Sequence, residues 1–120
     1  MPRVAGAGRV TVWGSGRQRR EFLHVDDFAD AALFLMDSYG GEDIVNVGVG
    51  EDVSIAELAN LLRDVVGFEG EIAFDRSKPD GAPRRLLDVS RLSDLGWRHR
   101  RTLEEGVRDT YRWFKGQAVD

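Results

Sequence analysis

Val10 and Val12 fall on one face of a segment from Arg9 to Trp13, the alternation of a half-buried strand. Gly14-Ser15-Gly16 then forces a turn. Arg20 to Val25 is expected to return as a second strand, closing a small hairpin. The period next becomes helical: Phe28, Ala31, Ala32, Leu35 and Met36 share one side. Asp27 is the predicted N-cap of that helix, with Asp30 in its first turn and Gly40-Gly41 as its stop. Asp43 to Val47 reads as a short β-branched strand, followed by a turn at Gly48-Val49-Gly50. Ser54 and Glu57 have the spacing of a capping box. The helix they open carries Ile55, Leu58, Ala59, Leu62, Val65 and Val66 as its stripe, and Gly67 closes it. Glu71 to Asp75 alternates again, with Ile72 and Phe74 together. Pro79-Asp80-Gly81 and Pro83 mark a loop. Arg85 to Val89 is predicted as a strand and Ser90 to Leu95 as a short helix. A second capping box, Thr102 with Glu105, opens a terminal amphipathic helix through Leu103, Val107, Thr110, Tyr111 and Phe114.

The order is therefore strand pair, helix, strand, helix, strand, strand, helix, helix, a mixed α/β arrangement. Neither a linker nor a repeat interrupts it. The expectation is one domain over residues 1–120, with residues 1–8 a poorly ordered start.

Composition narrows the function classes. With 17 Lys and Arg against 21 Asp and Glu, the net charge is −4, a poor match to nucleic acid or an anionic membrane. No apolar run approaches the ~20 residues of a membrane span. The start of the chain lacks the apolar core of a signal peptide. The absence of cysteine excludes disulfides, thiolate metal sites and a cysteine nucleophile, and it points to the cytoplasm.

Two motifs invite a nucleotide or catalytic reading, and both are rejected on the sequence. Gly48-Val49-Gly50 has the setting of a dinucleotide-binding turn, but the position for the third glycine is Val53, and no acidic residue follows at the ribose offset. Tyr111 and Lys115 have the Tyr-x-x-x-Lys spacing of short-chain dehydrogenases. They lie near the C-terminus with no nucleotide loop before them, so a core-facing tyrosine and a solvated lysine are expected instead. His24, Asp26 and Asp27 lack a second cluster that would complete a metal site. No catalytic residue, metal ligand or cofactor-binding residue is assigned.

The arginines carry more information. Lys78 and Lys115 are the only lysines, and seven of the 17 cations sit in two short stretches, Trp13 to Arg20 and Arg76 to Arg85. Glycine turns admit a ligand close to the backbone, and guanidinium forks suit a diphosphate. A neighbouring tryptophan can stack on a base or sugar, and Asp80 can accept from hydroxyls. Solvated loop charge is the plainer alternative.

At these same residues the chain resembles the GDP-L-fucose synthases, which are extended short-chain dehydrogenases/reductases of the NAD-dependent epimerase/dehydratase family. The likeness runs from about Ala5 to Phe114. It is carried by VTVWGSGRQRREFLHVDDFADAALFLM, by IVNVGVGEDVSIAELA, matched without an insertion at Val45, by FDRSKPDGAPRRLLDVSRLSDLGW and by TLEEGVRDTYRWF. The REFLHVDD stretch is widespread among extended nucleotide-sugar enzymes, whereas SKPDGAPRRLLDVSRL is narrower. The resemblance implies the C-terminal, substrate-binding part of an extended short-chain dehydrogenase/reductase: a small mixed α/β domain with a strand–helix contribution to the Rossmann half, and without the nucleotide-binding half. It implies NADPH-dependent 3,5-epimerisation and 4-reduction of GDP-4-keto-6-deoxy-D-mannose in the full-length enzyme. It also implies a homodimer whose contacts lie mainly outside this chain. NADP(H) is then the cofactor of the longer enzyme, with none bound by this chain alone, which is expected to be inactive. Carried over by position, Trp13 is substrate-contacting, Arg20 and Arg85 lie on the diphosphate side, and Asp80 lies near the substrate. Arg85 stands where lysine is more usual, and Ala82 and Val49 where threonine is. The alternatives are a non-catalytic binding module or part of another extended nucleotide-sugar epimerase or dehydratase.

Overall fold

The computed structural model describes residues 8–117, so the expected loose start falls largely outside the described residues. Two compact units are present: residues 8–20 with Val53–Arg85, and Glu21–Asp52 with residues 86–117.

In the first unit, β1 (Arg9–Trp13) pairs in parallel with β4 (Glu71–Asp75), from Arg9 opposite Glu71 to Trp13 opposite Asp75. Parallel strands need a crossover, and α2 (Ile55–Val66) lies in the connection. A second, three-stranded sheet has β2 (Arg19–Arg20) at its centre. It is antiparallel to β3 (Val53–Ser54) and parallel to β5 (Arg84–Arg85). The capping box of α2 forms as the sequence predicts: Ser54 Oγ accepts from Glu57 N at 3.1 Å, and Glu57 Oε1 accepts from Ser54 N at 3.2 Å. Gly67 closes α2 in the left-handed conformation at φ 80°. Ser54→Ala is expected to cost about 1 kcal/mol, read as a shifted urea midpoint at unchanged slope.

The second unit holds α1 (Val25–Ser38), α3 (Ser90–Leu95) and α4 (Leu103–Gln117). Its core is Ala31, Leu92 and Trp97, with Leu23, Phe34, Leu35, Val45 and Val47 packed around them. The Trp97 indole N–H donates to Asp30 at 2.9 Å. The Thr102–Glu105 capping box forms at the head of α4.

Several sequence expectations are corrected. The hairpin of Arg20 to Val25 against the first strand is absent. β1 takes β4 as its partner instead, and the Gly14 amide extends that pairing by donating to Asp75 O at 2.9 Å. Asp43 to Val47 forms no strand. The alternation there is real, since Val45 and Val47 are half-buried while Asn46 is exposed, but no neighbouring strand supplies a ladder. Arg85 to Val89 is a strand only at Arg85, because Leu87 N donates to the Glu21 carboxylate at 2.6 Å in place of a ladder bond. Asp27 is not the cap of α1. His24 is, its ring Nδ1 accepting from Asp26 N at 3.0 Å, and Asp27 sits buried in the first turn. Helix α1 ends at Ser38 with an extended Tyr39 as its C-cap, ahead of the two glycines.

Candidate functional site

Four predicted site residues, Trp13, Arg20, Asp80 and Arg85, belong to the first unit. The register of the three-stranded sheet sets Arg20 directly beside Arg85, and Arg19 beside Arg84. Side chains at paired positions of parallel strands project from the same face, so each arginine pair leaves the sheet on one side. Like charges side by side repel unless something screens them. Arg19 is answered by Glu57 at 3.5 Å. Arg20 is half-buried and folds over the second loop: Nη1 donates to Arg19 O at 2.7 Å and to Ala82 O at 2.8 Å, and Nη2 reaches Asp80 O at 3.5 Å. Arg85 is exposed.

Asp80 ties the two loops together. Ser15 N donates to its Oδ1 and Ser15 Oγ to its Oδ2, both at 2.6 Å. Those hydrogen bonds, the hydroxyl's first and the amide's second, hold the Asp80 carboxyl below the ordinary aspartate value, so it is anionic at neutral pH. Each oxygen keeps a second lone pair for a ligand hydroxyl. Nothing in the residue order marks Ser15 as the partner beyond its place between two glycines. Gly14 is required here. Its φ is 98°, and a Cβ would run into Asp80 Oδ1. Gly14→Ala is expected to break the Ser15–Asp80 link and to add at least about 1 kcal/mol of backbone strain, seen as a lower melting temperature and faster amide exchange across residues 14–18.

Trp13 is 68% exposed, and Lys78 Nζ lies 5.0 Å from the centre of its ring. An aromatic face and a cation thus share one place, which suits a ligand with both a ring and a negative charge. Gln18, in the same loop, is buried, and its carboxamide oxygen has no hydrogen-bond partner among the described residues. Nothing in its sequence setting singles it out.

The rejected motifs have structural explanations. Glu21 Oε2 accepts from Val49 N at 2.9 Å and Gly50 N at 3.0 Å. The amides that a dinucleotide pyrophosphate would need are therefore held by an internal carboxylate, and the Gly48–Gly50 turn does not fit NADP. Lys115 Nζ lies over the Tyr111 ring, 4.8 Å from its centre, as a cation–π pair on an exposed helix end. Among the described residues no cluster of His, Cys, Asp or Glu could hold a metal ion, and no helix is long and apolar enough to cross a membrane.

The chain as a whole is similar to known proteins. Residues 2–48 match the NAD dependent epimerase/dehydratase family. The chain is 52% identical over 117 residues to a probable GDP-L-fucose synthase 1 of Oryza sativa subsp. japonica, covering 98% of this chain and 36% of that protein. It is 49% identical over 114 residues to the GDP-L-fucose synthase of Escherichia coli strain K12, covering 88% of this chain and 36% of that protein. It superposes with a TM-score of 0.86, at 29% identity, on a GDP-L-fucose synthetase from Naegleria fowleri bound to NADP, over 91% of this chain and 35% of that one. The chain spans about a third of the length of the relatives it matches.

Proposed function

Because this chain is homologous to the GDP-L-fucose synthases of the NAD dependent epimerase/dehydratase family, we propose that it forms the part of such an enzyme that holds the GDP-sugar. The proposed reaction of the whole enzyme is the NADPH-dependent epimerisation and reduction of GDP-4-keto-6-deoxy-D-mannose to GDP-L-fucose, in the cytoplasm. The chain's own share is recognition. Arg20 and Arg85 take the diphosphate, whose charge relieves the repulsion between two guanidinium groups in register. The exposed Trp13 indole stacks on a ring of the ligand. Asp80 keeps the two loops in place through Ser15 and accepts from a hydroxyl with its remaining lone pairs.

The single observation that carries this reading is the pairing of Arg20 with Arg85. Alone, the chain is expected to bind but not to turn over. The glycine turn is closed to a dinucleotide by Glu21, and Lys115 rests on the face of the Tyr111 ring instead of beside its hydroxyl. Calorimetric titration with GDP tests the reading. Heat of binding is expected for GDP and not for guanosine, with Arg85→Ala weakening GDP about 10-fold. No heat with GDP, or equal heats for the two proteins, would overturn it.

A further inference from the structure

Gln18 is a buried polar side chain to which the proposed function gives no task. It is 8% exposed, and its carboxamide oxygen has no hydrogen-bond partner among the described residues. Buried polar atoms are nearly always paired, because an unpaired one retains the cost of leaving water. The main chain here is well held: Gln18 O accepts from Ile55 N at 3.0 Å, at the start of α2. The residue is therefore fixed in place while its side-chain oxygen stays unsatisfied.

The amide end of the side chain shows what it faces. A Cβ built on Gly14 would lie 3.4 Å from Gln18 Nε2 and would run into Asp80 Oδ1. Carboxamide and carboxylate thus converge on one spot beside the Gly14 α-carbon, where no side chain intervenes. Ser15 holds the Asp80 carboxylate there with its amide and its hydroxyl. The charge at this spot selects its occupant. The Arg17 and Arg76 guanidinium groups both act on Asp80, which disfavours a cation, and Asp80 itself disfavours an anion. A neutral hydroxyl fits, since it donates to a carboxylate and also donates to or accepts from an amide. The terminal torsion of a glutamine is broad, so the carboxamide turns either end to the spot at small cost. Two acceptors side by side call for two O–H donors side by side. The exposed Trp13 ring, next in the chain to Gly14, offers the flat apolar face on which a sugar ring lies.

We propose that Gln18 and Asp80 together grip a vicinal diol on a sugar ring of the ligand, which makes Gln18 a specificity-determining residue. The proposal rests on the nucleotide-sugar reading above. The diol belongs to the ribose or to the hexose, and the test separates the two.

The native chain and Gln18→Met, which keeps the side-chain length and removes both polar ends, are titrated calorimetrically with GDP, 2′,3′-dideoxy-GDP and GDP-mannose. For a ribose diol, Gln18→Met is expected to weaken GDP about 3- to 10-fold and to leave 2′,3′-dideoxy-GDP unchanged. For a hexose diol, the same loss falls on GDP-mannose alone. Equal losses for all three ligands would make Gln18 a structural residue and overturn the proposal, as would unchanged affinity for all three. A native chain that binds none of them overturns the nucleotide-sugar reading as well, whereas binding that is indifferent to Gln18 overturns the diol grip alone. Should Gln18→Met fail to fold, the native chain decides. Its Gln18 side-chain N–H resonances are expected to move more with GDP than with the dideoxy analogue, or more with GDP-mannose than with GDP. Resonances that all three ligands leave in place, or shift alike, overturn the proposal.

Discussion

Asp27→Asn is expected to lower stability by about 3 kcal/mol and the melting temperature by more than about 10 °C. The carboxylate is 1% exposed and accepts three hydrogen bonds from one short segment. Arg100 N and Arg101 N donate to Oδ2 at 3.1 and 3.0 Å, and the Arg101 guanidinium donates to Oδ1 at 2.7 Å. The same guanidinium is held by Asp109 at 3.2 Å and lies 3.7 Å from Asp26. The asparagine amide would turn a donor towards donors and leave the half-buried Arg101 guanidinium with one fewer counter-charge. Burial by itself pushes the Asp27 carboxyl upwards. The two backbone N–H groups and the guanidinium outweigh it, and the net displacement is below the ordinary 3.8. A carboxyl whose folded value is depressed stabilises fully above the unfolded value and loses that contribution as the pH falls through the folded one. The gap between native and Asp27→Asn in urea denaturation should therefore be widest from pH 5 to 7 and should narrow as the pH is taken below about 3.8.

Arg20→Ala is the second large effect, and it acts on binding. The side chain has two tasks. It clamps Arg19 O and Ala82 O, which sets the path of the Asp80 loop, and it contributes half of the Arg20–Arg85 pair. Loss of a charge-assisted hydrogen bond to a phosphate, at roughly 1.5–3 kcal/mol, corresponds to about 10- to 100-fold weaker GDP binding. Disordering the loop adds to that, so Arg20→Ala should weaken GDP binding more than Arg85→Ala does. Arg20→Lys separates the two tasks. An ammonium keeps the charge but cannot reach two carbonyls and an anion in one planar fork. Partial recovery of affinity is expected, with amide exchange at residues 80–82 as fast as in Arg20→Ala.

The helices were legible in the sequence because their signals are local. Ser54 with Glu57 and Thr102 with Glu105 are capping boxes that close within one turn, and both form where the spacing says. The strand Glu71–Asp75 was legible for the same reason, as a five-residue alternation. The short sheet was not. Strands of two residues, Arg19–Arg20, Val53–Ser54 and Arg84–Arg85, carry no period at all and exist only through partners about 34 and 65 residues away. Asp43 to Val47 shows the converse, a correct burial alternation without a partner strand. Asp27 was singled out for the right chemistry, an anion among backbone amides, but those amides belong to Arg100 and Arg101 and not to its own helix. At the candidate site, Trp13, Arg20, Asp80 and Arg85 were named from residue type, loop setting and family likeness. Ser15 and Gln18 were missed, and Lys78 was counted only among the loop cations, since each is defined by what it touches or fails to touch.

The central claim is that the two loops of the first unit hold a nucleoside diphosphate. Titration of the isotope-labelled chain with GDP, followed by amide and indole nuclear magnetic resonance shifts, tests it most directly. Saturable shifts are expected at the Trp13 indole, at residues 15–20 and at residues 76–85, with the Val49 and Gly50 amides unmoved behind Glu21. Shifts centred on Val49 and Gly50, or a spectrum that GDP leaves unchanged, would contradict the account.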